Sequence, residues 1–202
     1  MFTWPKATRS NLPDATRLTD GSTSSEGDTD YEPMFIVLNG PLGIGKSTLA
    51  EALTESIDSC VWLDGDRLTA ANPPAGDEME HLHSTIELLV RHHRRFGYRH
   101  FVIDHVWRTP PALADLQRRL IAIETGAEVR CFLLTLAIDE NLRRIAHRQH
   151  ARAIDERAFE QRTVVEEREA LASGSELGEP LDVSAPPSEL VETVLRRLMS
   201  RG

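Results

Sequence analysis

The most specific chemistry in this chain lies in Gly40-Pro41-Leu42-Gly43-Ile44-Gly45-Lys46-Ser47-Thr48. An apolar run, Phe35 to Leu38, precedes the pattern, and an apolar helix predicted from Ser47 to about Ile57 follows it. In that context the glycines have a physical purpose. Backbone N–H groups must curl round a phosphate, so side chains have to be absent at Gly40, Gly43 and Gly45. The start of the helix adds partial positive charge beneath the anion. Lys46 is placed to reach the β- and γ-phosphates, and the Ser47 hydroxyl suits a ligand to Mg²⁺. A turn that merely joined strand to helix would not need Lys-Ser-Thr after it. The pattern points to a bound nucleoside triphosphate.

Three carboxylates, Asp64, Asp66 and Asp104, fall at the carboxyl ends of predicted strands, where parallel α/β sheets collect ligands. Asp64 and Asp66 are two residues apart and share a side if the strand continues that far. One could orient a metal through its waters while the other takes a proton from an incoming hydroxyl. The competing expectation is a plain turn at Asp64-Gly65-Asp66, with Asp66 capping the next segment. Asp104 ends an apolar strand, the setting of an aspartate that attends Mg²⁺. Its neighbour is His105, without the glutamate that motor-type ATPases use to polarise water, and no Asn-Lys-x-Asp guanine signature occurs. Arg144 and Arg148, at i and i+4, emerge from one helix face. They could stack on a purine or neutralise a transferring phosphoryl group, or simply form a solvated basic face. His105, Trp107 and Arg108 could shape an acceptor pocket. His81, His83, His92 and His93 show no metal geometry and are assigned to surface or packing.

These residues need a scaffold, and the apolar pattern supplies one. From Met34 apolar strands alternate with amphipathic helices, the signature of a parallel sheet with helices on both faces. Strands are predicted at Phe35–Leu38, Cys60–Leu63, His100–Asp104, Glu128–Leu136 and Leu181–Val183. Helices are predicted from about Glu78 to Phe96, from Thr109-Pro110 to Gly126, after Asp139 as a cap, and from Pro187 to Met199. The charged segment from about Asp155 to Ala172 reads as a solvated helix with few core anchors. The result is a three-layer α/β domain of about five strands over 34–202, and spacing alone leaves the strand order open. Residues 1–33 are polar, acidic and poor in large apolar groups, so they cannot repay the entropy of ordering and are expected to form a disordered leader. The abrupt change at Met34 raises the expectation that translation starts there.

The chain has 202 residues, 23 basic against 32 acidic side chains and a formal charge of −9, which argues against nucleic acid or anionic membrane as the main partner. No apolar run is long enough to span a bilayer, and no signal peptide stands at the start. Cys60 and Cys131 lack metal-ligand spacing and read as small buried hydrophobes, which suits a cytoplasmic location. The oligomeric state is not legible.

Gly40–Thr48, Leu63-Asp-Gly-Asp-Arg67 and Arg144-Ile-Ala-His-Arg148 together resemble the P-loop kinases of small molecules and nucleotides. Asp-x-Asp is similar to shikimate kinases, Leu-Asp-Gly-Asp to adenylylsulfate kinases, and Arg-Ile-x-x-Arg to the start of the adenylate kinase lid. The resemblance implies the P-loop NTPase fold, with a five-stranded parallel sheet in the order 2-3-1-4-5, a lid near residues 144–160, and ATP with Mg²⁺ as donor. By the same likeness Asp66 is the base or acceptor-orienting residue and Asp64 assists the metal. Asp104-His-Val-Trp-Arg-Thr-Pro110 replaces the glycine-rich acceptor element of shikimate kinases, so no substrate carries over. The expected activity is transfer of the γ-phosphoryl group to a small-molecule acceptor. The alternatives are a nucleotide-binding regulatory protein and a slow ATPase.

Overall fold

The structure, a computed structural model, describes residues 33–148, 154–172 and 175–200. Apart from Pro33, the expected leader lies outside the described residues, as do residues 149–153 of the expected lid. The elements run β1 (Met34–Asn39), α1 (Lys46–Ser56), β2 (Cys60–Asp64), α2 (Gly65–Leu68), α3 (Glu78–Arg94), β3 (His100–His105) and α4 (Pro110–Ile123). They continue with β4 (Glu128–Thr135), α5 (Ile138–Arg148), α6 (Ile154–Leu171), β5 (Glu179–Asp182) and α7 (Pro187–Met199).

The five strands pair in parallel in the order β2-β3-β1-β4-β5, as the resemblance implies. The central strand shows why. Phe35, Ile36, Val37 and Leu38 are all fully buried, and a strand covered on both faces must be apolar at every position. Alternation then sorts its side chains. Phe35 and Val37 pack with Phe101, Ile103 and the inner faces of α3 and α4, including Leu82, Ile86, Leu116 and Leu120. Ile36 and Leu38 pack on the other side with Val102, Phe132, Leu49 and Leu53 of α1, and Leu190 and Val194 of α7. Register aligns Asp64 with Asp104, and Asn39 with His105, at the carboxyl edge of the sheet. The sheet therefore delivers its polar residues to one end.

Local expectations shift in four places. β2 stops at Asp64 and the chain turns directly into the short helix α2. Gly65 permits this, because a Cβ there would stand 2.7 Å from the His105 Cβ and 2.8 Å from the Asp104 carbonyl. Asp64, not Asp66, is the cap: its Oδ1 accepts from the Asp66 and Arg67 N–H groups at 3.1 and 3.2 Å. Asp139 lies inside the first turn of α5, not ahead of it. α6 is better anchored than its charge suggests, since Val164, Glu167 and Leu171 are all buried along one side.

Candidate functional site

The glycine-rich segment takes the shape its sequence demands. Gly43 has φ +73°, a backbone conformation that costs any residue with a Cβ about 1–2 kcal/mol. A Cβ there would also come within 2.3 Å of Ile145 on α5. Gly43→Ala is therefore expected to lower the melting temperature by a few degrees and weaken nucleotide binding, measured by thermal unfolding and titration calorimetry. An unchanged melting temperature with unchanged nucleotide affinity would contradict this reading of the loop.

Lys46 opens α1 immediately after the N-cap Gly45. It is 6% exposed, and its Nζ donates to the Gly40 and Pro41 carbonyls at 2.9 and 3.3 Å. Burial pulls the ammonium pKa down. Asp66, Asp104, Glu167 and Asp64, in decreasing order, push it back up. Four carboxylates thus act on one lysine.

Ser47 Oγ donates to Asp104 Oδ2 at 3.0 Å, and Trp62 Nε1 donates to Asp104 Oδ1 at 2.6 Å. Asp104 is 3% exposed, and burial raises its carboxyl pKa despite both donors. This is a fit for a hard cation. Oxygen donors from Ser47 and Asp104 stand side by side at the mouth of the loop, and the excess of carboxylates repels an anion unless positive charge accompanies it. Among the described residues no group of three or more His, Cys, Asp or Glu side chains forms a metal cage. Mg²⁺ suits such a site, because it keeps several waters and takes one or two protein ligands plus phosphate oxygens.

Asp66 stands on α2 with its side chain 61% exposed, and accepts at Oδ1 from His105 Nδ1 at 2.9 Å. That bond, ahead of the smaller opposing effect of burial, holds its carboxyl below the usual value. His105 also lies edge-on to Trp107, with ring centroids 5.4 Å apart. Asp64 is engaged in its cap and in an ion pair with Arg67 Nε at 3.2 Å. The strand does not continue to set Asp64 and Asp66 on one side, yet both act on Lys46.

On the other flank of the loop lies a cavity of about 580 Å³, bounded by Gly45, Thr48, Arg144, Val183, Pro186 and Leu190. Arg144 forms part of its wall: Nη1 donates to the Ile44 carbonyl at 3.2 Å, and Nη2 to the Val183 carbonyl at 3.0 Å. Nε donates to Glu140 at 3.2 Å. Arg148 closes α5, but its side chain lies outside the described residues.

Asn39 and Glu167, given no role by sequence reasoning, complete the site. Asn39, fully buried at the root of the loop, donates from Nδ2 to the Trp107 and Leu177 carbonyls and accepts at Oδ1 from the Trp107 N–H. Trp107 Nε1 donates to His83 Nε2 at 3.0 Å, and His83 Nδ1 lies 2.8 Å from Asp115 Oδ2. Burial lowers the pKa of His83, consistent with a neutral ring that accepts from Trp107. Glu167 accepts from the Leu42 N–H at 2.7 Å and from Arg108 Nη2 at 3.1 Å. Both had a signal. Asn39 is the polar end of an all-apolar run, and Glu167 falls at helical spacing between Val164 and Leu171.

Sequence and structural comparisons bear on the family and the fold. A family model described as AAA domain matches residues 35–169. No curated protein matches the chain by sequence. Among solved structures, the tunicamycin resistance protein of Deinococcus radiodurans superposes with a TM-score of 0.61 at 17% identity, covering 84% of this chain and 96% of that one. A gluconokinase from Sinorhizobium meliloti 1021 gives 0.59 at 20% identity, covering 82% and 93%. Shikimate kinase from Aquifex aeolicus gives 0.52 at 15% identity, covering 82% and 96%. At these identities the likeness is one of fold, and the fold is that of the P-loop kinases.

Proposed function

This chain belongs to the AAA domain family, and on the P-loop kinase fold it carries we propose that it is an ATP-dependent phosphotransferase acting on a small hydroxyl-bearing molecule. One observation carries the reading. Lys46, the Ser47–Asp104 pair and the Asp66–His105 pair stand together at the carboxyl edge of one sheet.

The donor's base and ribose occupy the cavity beside Arg144, whose volume falls within the range of about 300–1,000 Å³ usual for ligand pockets. The triphosphate lies in the loop formed by Gly40, Pro41, Leu42, Gly43, Ile44, Gly45, Lys46, Ser47 and Thr48. Ser47 and Asp104 would hold Mg²⁺, with Asp64 assisting through water. The ion, when bound, draws negative charge off the β- and γ-oxygens. Lys46 leaves its carbonyl partners for those same oxygens. Asp66, fixed by His105, orients the acceptor hydroxyl and receives its proton. The new bond forms between that oxygen and the γ-phosphorus as the bond to the β,γ-bridging oxygen breaks, which leaves ADP. Arg144 steadies the donor from the cavity wall, and Arg148 is assigned to the same face on helical spacing alone.

The test is an ADP-release screen with ATP and Mg²⁺ against pooled sugars, nucleosides, nucleotides, antibiotics and cyclitols. Release that depends on one pool is the expected result. Phosphate release that no pool alters would replace the reading with a slow ATPase.

A further inference from the structure

Leu42 in the phosphate loop is held at both its N–H and its carbonyl, and in both cases from outside the loop. Glu167 of α6 accepts its N–H at 2.7 Å, and Asn141 Nδ2 of α5 donates to its carbonyl at 3.1 Å. The two helices that lead into and out of residues 149–153 therefore grip the same residue. The arrangement is costly. Glu167 is 5% exposed, and Asn141 is fully buried with its Oδ1 lacking a hydrogen-bond partner among the described residues. An apolar side chain beside Val164 and Leu171 would cover the core without that desolvation. Stability alone does not account for Glu167.

The second oxygen of Glu167 shows where the connection leads. Oε1 accepts from Arg108 Nη2 at 3.1 Å, and the Arg108 side chain is otherwise 53% exposed. Arg108 stands three residues beyond His105, the partner of Asp66, on the segment that joins β3 to α4. Glu167 also acts on Lys46 through space. One buried carboxylate thus touches both the loop that takes the donor and a cation on the segment that follows the partner of Asp66.

We propose that Glu167 is a positioning residue that couples occupancy of the phosphate loop to the placement of Arg108, so that donor binding orders the acceptor side. This deepens the phosphotransferase reading and rests on it for the meaning of the acceptor side. Phosphates entering the loop settle the Leu42 peptide. Leu42 settles Glu167, and Glu167 fixes the open guanidinium of Arg108 towards the space in front of Asp66.

Three variants separate the two contacts. Glu167→Gln keeps a carbonyl oxygen for the Leu42 N–H but turns an amide NH₂ towards Arg108. Arg108→Gln breaks the same ion pair from its half-exposed partner and leaves the contact of Glu167 with Leu42 in place. Glu167→Ala removes both contacts. The measurement is hydrogen–deuterium exchange on the full chain with and without ATP and Mg²⁺, which needs no acceptor. In the wild type, nucleotide is expected to slow exchange about tenfold in peptides covering 40–48 and also in those covering 105–109. In Glu167→Gln and Arg108→Gln the loop stays protected while the nucleotide effect at 105–109 disappears. Glu167→Ala weakens it at both. Nucleotide-induced protection at 105–109 that survives in Glu167→Gln, or that is missing from the wild type, overturns the coupling. The result is separable from the activity itself: a wild type that transfers phosphate to no acceptor defeats the phosphotransferase reading and leaves the exchange pattern to decide the coupling.

Discussion

Lys46→Ala is expected to lower ATP turnover by about 10²–10³-fold, the scale lost when one preorganised charge is removed from a phosphoryl or oxyanion site. The environment of Lys46 supports the larger part of that range. The ammonium is buried, and among the described residues it donates only to carbonyls of the loop it belongs to. It is therefore already desolvated where phosphate oxygens arrive, and in such surroundings a charge acts far more strongly than in water. Substitution by another cation would not be neutral, because a guanidinium is too broad for a space sized to an ammonium. The chain's usage underlines the point. It has two lysines, Lys6 and Lys46, and all its other basic side chains of this class are arginines.

Stability responds in the opposite sense. Burial holds the Lys46 pKa below 10.5, so the charged form is disfavoured in the folded state relative to the unfolded one. Below the folded-state pKa that penalty is fully present, and it is relieved as pH rises from that value towards 10.5. Lys46→Met, which keeps the aliphatic stem, should therefore melt no lower than the wild type at neutral pH and lack this alkaline gain. Turnover assays with melting curves across the alkaline range test both halves. A Lys46→Ala protein with wild-type turnover would remove Lys46 from the mechanism.

Why the loop was legible and other parts of the site were not follows from the distance over which each acts. Gly40 to Thr48 act on one another within a single strand–turn–helix unit, so the pattern is local and its meaning survives without the rest of the chain. Asp104 and Ser47 are 57 residues apart, but each carries its own mark, one at the end of an apolar strand and the other after Gly-Lys. That Asp64 caps a helix, and that the strand does not run on to Asp66, has a local reason: the tight fit of Gly65 against β3, a contact invisible in sequence. Asn39 and Glu167 work across 68 and 125 residues, through a buried amide and a buried carboxylate. Polar residues are ordinarily read as solvated, so both were passed over, and their position on an apolar face was the one signal that marked them. Strand order has no local mark at all, and only the family resemblance supplied it.

Asp66→Asn is expected to lower phosphoryl transfer by about 10²-fold, at the low end of the usual range for a general base, while leaving ATP binding intact. The reason lies in the bond from His105, which holds the Asp66 carboxyl below its usual value. A carboxylate stabilised in this way is a weak proton acceptor, and a loose phosphoryl transition state asks little of one. Its contribution is then chiefly to aim the acceptor hydroxyl, and an asparagine oxygen still accepting from His105 preserves part of that aim. Binding of the donor should move slightly the other way. Asp66 is the carboxylate that acts most strongly on Lys46, so neutralising it leaves a more positive site and an equal or tighter affinity for ATP. The measurement is ADP release with the acceptor pool that supports it, alongside ATP titration of the same variant. Loss of transfer with retained or improved ATP binding assigns Asp66 to the acceptor. Equal losses of both would place Asp66 with the donor, and full transfer activity would show that the hydroxyl is aimed by some other group.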